Sequence, residues 1–262
     1  MICRLDADDV FHPRKLEKIL SALTGDPASG FCTHQLLPVT KTRKPIDAPI
    51  LKALDHGWFG PQALRNGAYS RRPPASGLYF RRQVTDLVFP LSQRMRRGAD
   101  AYLGGAAQFF TQIVALYEVL SEFRLHGDNI TSFARPTASA VDRLVEDIRE
   151  NVDTQRDFLE AHYGPAVADR LRIEDMPDYW DFLLELYVLE GQPQEGVHGH
   201  TADTLLSQLP QTPRERLWRF ALALPPDVGR RVVYLGSGPS PWKRFARSLA
   251  RFLRVKQEEG RE

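Results

Sequence analysis

Cysteine is scarce in this chain of 262 residues: Cys3 and Cys32 are the only two. They fit no metal-ligand spacing and no disulfide framework, and read most simply as two half-buried reduced thiols of a cytosolic protein. Long apolar runs are missing as well, so no segment reads as a membrane span. The first residues carry neither the basic nor the apolar region of a signal peptide. No internal repeat and no long low-complexity segment is present. Charge of one sign does not dominate either, with 35 Lys and Arg against 33 Asp and Glu. That balance gives a nucleic-acid partner no footing.

What remains is ordinary for a globular chain, 42% hydrophobic and 26% charged, and long enough to bury a substantial core. Its charge, however, is lopsided. Val141–Glu195 holds 15 acidic and 5 basic residues, a local net of −10. Gly229–Gln257 holds 8 basic residues and no acidic one. Such asymmetry suits a solvated face at one place and an anionic partner at another.

Along the chain, MICRLDADD reads as a short apolar strand running into three acids. A helix follows from Pro13, with Leu16, Ile19, Leu20 and Leu23 at i, i+3, i+4 and i+7, and Gly25 stops it. Phe31–Val39 reads as a strand. Residues 40–75 read as a long functional loop with a short helix at 49–56. Gly77–Arg81 reads as a strand followed by a turn near Pro90. A helix after Asp100 takes Phe109, Phe110, Ile113, Val114 and Tyr117 as its apolar face, and Phe123–His126 closes the first unit as a strand. Beyond Arg135 the pattern is helical: a stripe from Val141 to Leu159, another helix over 175–190, and a helix start at Thr212-Pro213-Arg214-Glu215. The expected fold is α/β, with a boundary near 135 and a mostly helical extension over 136–262.

Three constellations bear on chemistry. Asp6 and Asp8, two apart at a strand end, would share a face, and two convergent carboxylates suit a hard divalent cation. An acidic strand-to-helix turn explains them equally well. Asp100 opens a helix, where an aspartate commonly caps. His126, beside Gly127 at a strand end, reads as a metal ligand or base, or simply as a half-exposed turn residue.

Taken in order, LDADDVFHPRKLEKIL, ASGLYFRR, RGADAYLGGAA and FRLHGDNITS resemble the second half of family 2 glycosyltransferases of GT-A fold. The resemblance covers Met1 to about Ser132, and its most specific part is the D-x-D with the helix that follows. It implies an incomplete GT-A-like mixed sheet with flanking helices over 1–135. It further implies that Asp6 and Asp8 hold a divalent metal (Mn or Mg) bridging the donor diphosphate, and that His126 completes the metal shell. Asp100 would deprotonate the acceptor hydroxyl. Ser76, Gly77, Arg81 and Arg82 would lie at the donor sugar and acceptor. The implied reaction is an inverting transfer of a sugar from a nucleotide-sugar donor to a saccharide or lipid-linked acceptor, in cell-envelope polysaccharide or glycoconjugate synthesis. The family's nucleotide-binding half precedes its D-x-D, and here only Met1–Leu5 do. The reading therefore expects a truncated chain, weak or inactive, with a non-catalytic partner- or membrane-binding remnant as the alternative.

Weaker signals complete the inventory. His198-Gly199-His200 reads as loop rather than metal clip, and Tyr234–Pro239 as a turn rather than a nucleotide loop. Trp58 and Phe59 would either stack on an acceptor sugar or anchor their loop. Residues 241–257 form a basic amphipathic helix: Trp242, Phe245, Leu249 and Phe252 line one face, and Lys243, Arg244, Arg247, Arg251 and Arg254 the rest. It suits an anionic membrane surface, placing a cytoplasmic protein peripherally at the inner face of the membrane; docking on the acidic 141–195 region is the competing reading.

Overall fold

The computed structural model describes residues 2–46, 48–51, 53–66, 70–93, 95, 97–125, 136–176, 178–208 and 213–237. Five strands form one mixed sheet: β1 (Ile2–Cys3), β2 (Val10–Phe11), β3 (Ser29–Val39), β4 (Leu78–Phe80) and β5 (Gln112–Arg124), in the order β1-β4-β3-β5-β2. β3 and β5 run parallel along the centre, and the remaining pairings are antiparallel. Ten helices accompany the sheet among the described residues: α1 (Lys15–Gly25), α2 (Gly60–Asn66), α3 (Arg82–Val88), α4 (Ala99–Ala107), α5 (Ala138–Tyr163), α6 (Pro165–Ala168), α7 (Tyr179–Leu189), α8 (Ala202–Ser207), α9 (Pro213–Leu222) and α10 (Pro226–Ser237). The α/β class expected from sequence is observed.

Both faces of the sheet are covered, and strand alternation decides which residue goes where. Phe31, Leu78, Phe80 and Ile113 turn to one face and pack with Val84 and Val88 of α3 and Tyr102, Leu103, Ala106 and Ala107 of α4. Their neighbours Cys32, Tyr79 and Val114 turn to the other face and pack with Ile19 and Leu23 of α1. A third cluster joins Ala63 of α2 and Phe109 to Val152 and Leu159 of α5.

Several sequence expectations are corrected. The helical stripe over 109–117 is instead the turn that follows α4 and the first half of β5. Thr111 marks the break: its hydroxyl accepts the Gly30 amide at 2.6 Å and donates to the Ala28 carbonyl at 3.2 Å, tying this segment to the start of β3. Ile113, Val114 and Val119 are β-branched residues that favour the strand once such a partner is fixed. No helix forms over 49–56 among the described residues; the helix of that loop is α2. Tyr234–Ser237 belongs to α10 rather than to a turn. In α1 the buried face is Lys15, Ile19 and Leu23, whereas Leu16 and Leu20 are 56% and 47% exposed. The apolar periodicity therefore marks a face shifted by one residue from the one that packs, because a lysine occupies its inner edge.

The chain divides into two compact units, Met1–Asp128 with Arg143–Phe182, and Asn129–Asp142 with Leu183–Glu262. The first contains the whole sheet. Within the second, Arg230 Nε of α10 donates to the Leu189 carbonyl at 3.0 Å and Gln192 Nε2 to the Leu224 carbonyl at 3.3 Å. His198 Nε2 meets Asp142 Oδ1 at 2.8 Å, so the His-Gly-His segment is a turn anchored to the start of α5. The basic segment 241–257 and the capping Thr212 lie outside the described residues.

Candidate functional site

Strand β1 stops at Cys3, and the acids that follow form a turn closed by the Asp9 amide donating to the Asp6 carbonyl at 3.0 Å. Asp6 and Asp8 are therefore not alternate residues of a strand, as the spacing suggests. Three carboxylates in four residues repel one another, and the turn lets each find a different environment. Asp9 points inward, 6% exposed, and its Oδ1 accepts the Arg124 amide at 3.0 Å. Arg124 Nε donates in turn to the Asp8 carbonyl oxygen, so the end of β5 is fastened to the turn twice. Asp6 and Asp8 stay partly open to solvent.

Asp100 comes from a distant part of the chain. Gly98, at φ +72°, adopts the left-handed backbone that starts α4, and Asp100 sits in that helix's first turn. An acid there is favoured by the exposed amides of the helix start. Its charge reaches Asp6: burial raises the Asp6 pKa above the ordinary carboxylate value, and the charges of Asp9, Asp100 and Asp8 add to the rise against the opposing Arg4. Asp9 is raised by burial, with the Ser76 hydroxyl and the Arg124 amide pulling it back. The turn is thus a concentration of negative charge that arginine only partly offsets.

Ser76 and Gly77 adjoin this turn as its support. Both are buried in the 3-10 turn that leads into β4, and the Ser76 hydroxyl accepts the Asp6 amide at 3.0 Å. Gly77 leaves room for the Pro73 ring, which would lie 2.4 Å from any added Cβ. The Ser76 carbonyl takes two donors, Lys15 Nζ at 2.7 Å and Ser121 Oγ at 3.1 Å. Arg81 and Arg82 fall at the opposite end of β4. The antiparallel register of β1 on β4 (Cys3 with Tyr79, Ile2 with Phe80) runs the chain past Ser76 toward Asp6, away from them. Arg81 donates from Nε to the Ser29 carbonyl at 2.8 Å and from Nη2 to the Leu23 carbonyl, joining α1 to β3. Arg82 pairs with Asp86 at 3.7 Å on the surface. Trp58 is 53% exposed, while Phe59 packs against the core.

Of the sequence-selected residues, Asp6 and Ser76 are joined directly, Asp8 and Gly77 adjoin them in the chain, and Asp100 reaches them through its charge on Asp6; Arg81 and Arg82 do not join them. His126 lies outside the described residues. No group of three or more His, Cys, Asp or Glu side chains is arranged to hold a metal ion among the described residues. Residues not singled out from sequence are also part of the site: Arg4, whose charge opposes that of Asp6, Asp9 and Arg124, which brace the turn, and Lys15 beneath it. The sequence signals for Lys15 are its place in the helix start that follows the D-x-D and on the inner edge of an otherwise apolar stripe.

Behind the turn lies His34, fully buried on β3, its Nδ1–H donating to the Gln35 carbonyl at 2.9 Å. Burial, then the Lys15 charge, lowers its pKa from 6.5 to about 4. Between those values the unfolded chain takes up a proton that the folded chain refuses, so stability is complete above pH 6.5 and lost as pH falls toward 4. Urea unfolding at pH 4.5 should give a stability lower than at pH 7 by about 2–3 kcal/mol from this group. His34→Gln, which cannot charge, should flatten that part of the profile; an unaltered slope would show that other groups cause it.

The fold and site define an α/β protein with an acidic turn at the edge of a mixed sheet, within electrostatic reach of a carboxylate on a helix start. No protein-family model matches the chain. Over 138 residues the chain is 31% identical to a protein of Nostoc sp. (strain PCC 7120 / SAG 25.82 / UTEX 2576) named as an uncharacterized glycosyltransferase. The match takes in 49% of this chain and 40% of that relative, so the chain spans about two fifths of the relative's length. A relation to glycosyltransferases is thereby supported. No helix among the described residues is long and apolar enough to cross a membrane.

Proposed function

We propose that the acidic turn is the catalytic centre of an inverting, metal-dependent glycosyltransferase that moves a sugar from a nucleotide-diphosphate donor to a saccharide or lipid-linked acceptor. The observation that carries the reading is the acidic turn, where Asp6 and Asp8 stay partly open to solvent and the charge of Asp100, from a distant part of the chain, adds to the rise of the Asp6 pKa. The relative named as a glycosyltransferase supports it. Two partly open carboxylates in a negative field suit a hard divalent cation, whose shell phosphate oxygens of the donor would complete. That is how Mg²⁺ and Mn²⁺ are typically held at phosphate sites. Asp6 and Asp8 would hold the ion, with His126 as a further ligand. Bound there, it would offset the charge growing on the departing nucleoside diphosphate.

Asp100 acts as general base. Its carboxylate accepts the proton of the acceptor hydroxyl as that oxygen attacks the anomeric carbon in line, and the bond from that carbon to the diphosphate oxygen breaks. The sugar leaves with inverted configuration. Ser76 keeps the turn in register through the Asp6 amide. We further read the reaction as part of cell-envelope polysaccharide or glycoconjugate synthesis on the cytoplasmic side, with the basic segment 241–257 at an anionic membrane surface.

Incubation with a panel of nucleotide sugars and Mn²⁺ tests the proposal. The expected result is nucleoside diphosphate release from one donor that chelation abolishes, with an inverted anomer in the product. Metal-dependent donor binding without turnover would instead favour a non-catalytic binding module, and neither binding nor turnover would overturn both readings.

A further inference from the structure

Among the described residues Lys15 is the largest side chain fully removed from solvent, and a buried ammonium is expensive unless its protons are used. Here they are. Nζ donates to the Ser76 carbonyl at 2.7 Å and to Ser121 Oγ at 3.1 Å, and lies 3.4 Å from the centre of the Phe11 ring. Ser121 Oγ donates in turn to the same Ser76 carbonyl, closing a three-membered network. Burial pushes the lysine down to about 8, with Cys3, Cys32 and Asp9 drawing it back up, so it is still mainly charged at neutral pH.

Nothing in the core requires a charge at that point. Ile19 and Leu23, one and two turns further along the same face of α1, are apolar and equally buried. The network's other end explains it. Ser76, gripped by its carbonyl, presents its hydroxyl to the Asp6 amide at 3.0 Å, and the same hydroxyl eases the charge on Asp9. Lys15 is thus joined to the acidic turn through a single residue, and it opens the helix that follows that turn in sequence.

We infer that Lys15 is a positioning residue that fixes the acidic turn through Ser76, so that Asp6 and Asp8 are held ready for a cation before it arrives. Its effect on metal affinity rests on the proposed function; its effect on the Asp6 amide does not. Outer-shell partners of metal ligands typically contribute 10- to 100-fold to affinity. Replacing a buried charge by an apolar side chain of similar length need not destabilise the fold.

The test compares the wild type with Lys15→Met, Ser76→Ala and the double variant by amide hydrogen exchange followed by NMR and by Mn²⁺ titration. Lys15→Met should speed exchange of the Asp6 amide by about 10-fold or more while β3 and β5 core amides keep their protection, and weaken Mn²⁺ binding about 10-fold. Ser76→Ala, which leaves Lys15 in place, should do the same, and the double variant should be no worse than either single one. Unchanged Asp6 exchange in Lys15→Met, uniform loss of protection over the whole sheet, or independent, multiplying effects of the two substitutions would each overturn the positioning role. Altered Asp6 exchange in a protein that binds no Mn²⁺ would uphold the tether and refute the metal reading instead.

Discussion

Asp100→Asn is expected to lower sugar transfer by about 10²- to 10⁴-fold, the usual contribution of a general base. Metal and nucleoside diphosphate binding should survive, because the amide keeps the shape of the side chain at the start of α4. A second consequence follows from the charges. Asp100 is one of the groups that raise the Asp6 pKa, so removing its charge should let that pKa fall back toward the ordinary carboxylate value. Protons then compete less well for Asp6, and Mn²⁺ binding measured at mildly acidic pH should hold or improve in the variant. Transfer lost with binding kept separates a base from a structural acid. Full transfer in Asp100→Asn would reduce Asp100 to a favourable first-turn charge.

Phe80→Ala should be the most damaging core substitution of the first unit, costing about 3–5 kcal/mol, a large part of the 5–15 kcal/mol that a domain commonly has. Phe80 is 1% exposed and stacks on Phe31, itself fully buried, with ring centres 4.5 Å apart and planes 10° from parallel. The pair joins β4 to the central β3 in the register that also brings Ser76 to Asp6. Losing the ring would open a cavity between the sheet, α3 and α4, and the turn would lose definition with it. Urea unfolding reads the effect; a change below about 1 kcal/mol would mean the site collapses around the smaller side chain.

The class and the positions of α1, β3 and β4 are legible because apolar spacing, Gly25 and the β-rich run at 31–39 agree with one another. The stretch from Phe109 to Tyr117 was not, since its spacing satisfies a helix as well as a strand and only the Thr111 contacts to Gly30 and Ala28 decide it. Of the site, Asp6, Asp8 and Asp100 could be chosen by residue type and order. The support could not: Ser76 was singled out for the donor and acceptor, but its bracing of the turn and that of Lys15 run through bonds spanning 70 and 61 residues of sequence, which local pattern does not encode. Arg81 and Arg82 look like ligand-binding cations in sequence, yet Arg81 is occupied by two backbone carbonyls and Arg82 by Asp86.

Asp6 and Asp8 are proposed to bind a divalent cation together with a nucleoside diphosphate. The most direct test of that site is titration of Mn²⁺ into the wild type and Asp8→Ala, each with and without nucleoside diphosphate, followed by the paramagnetic resonance of the free ion. The wild type should remove free Mn²⁺, nucleoside diphosphate should tighten the binding, and Asp8→Ala should weaken it by at least about 10-fold, the loss expected on removing a charged ligand. Equal binding by wild type and Asp8→Ala would contradict the proposed site.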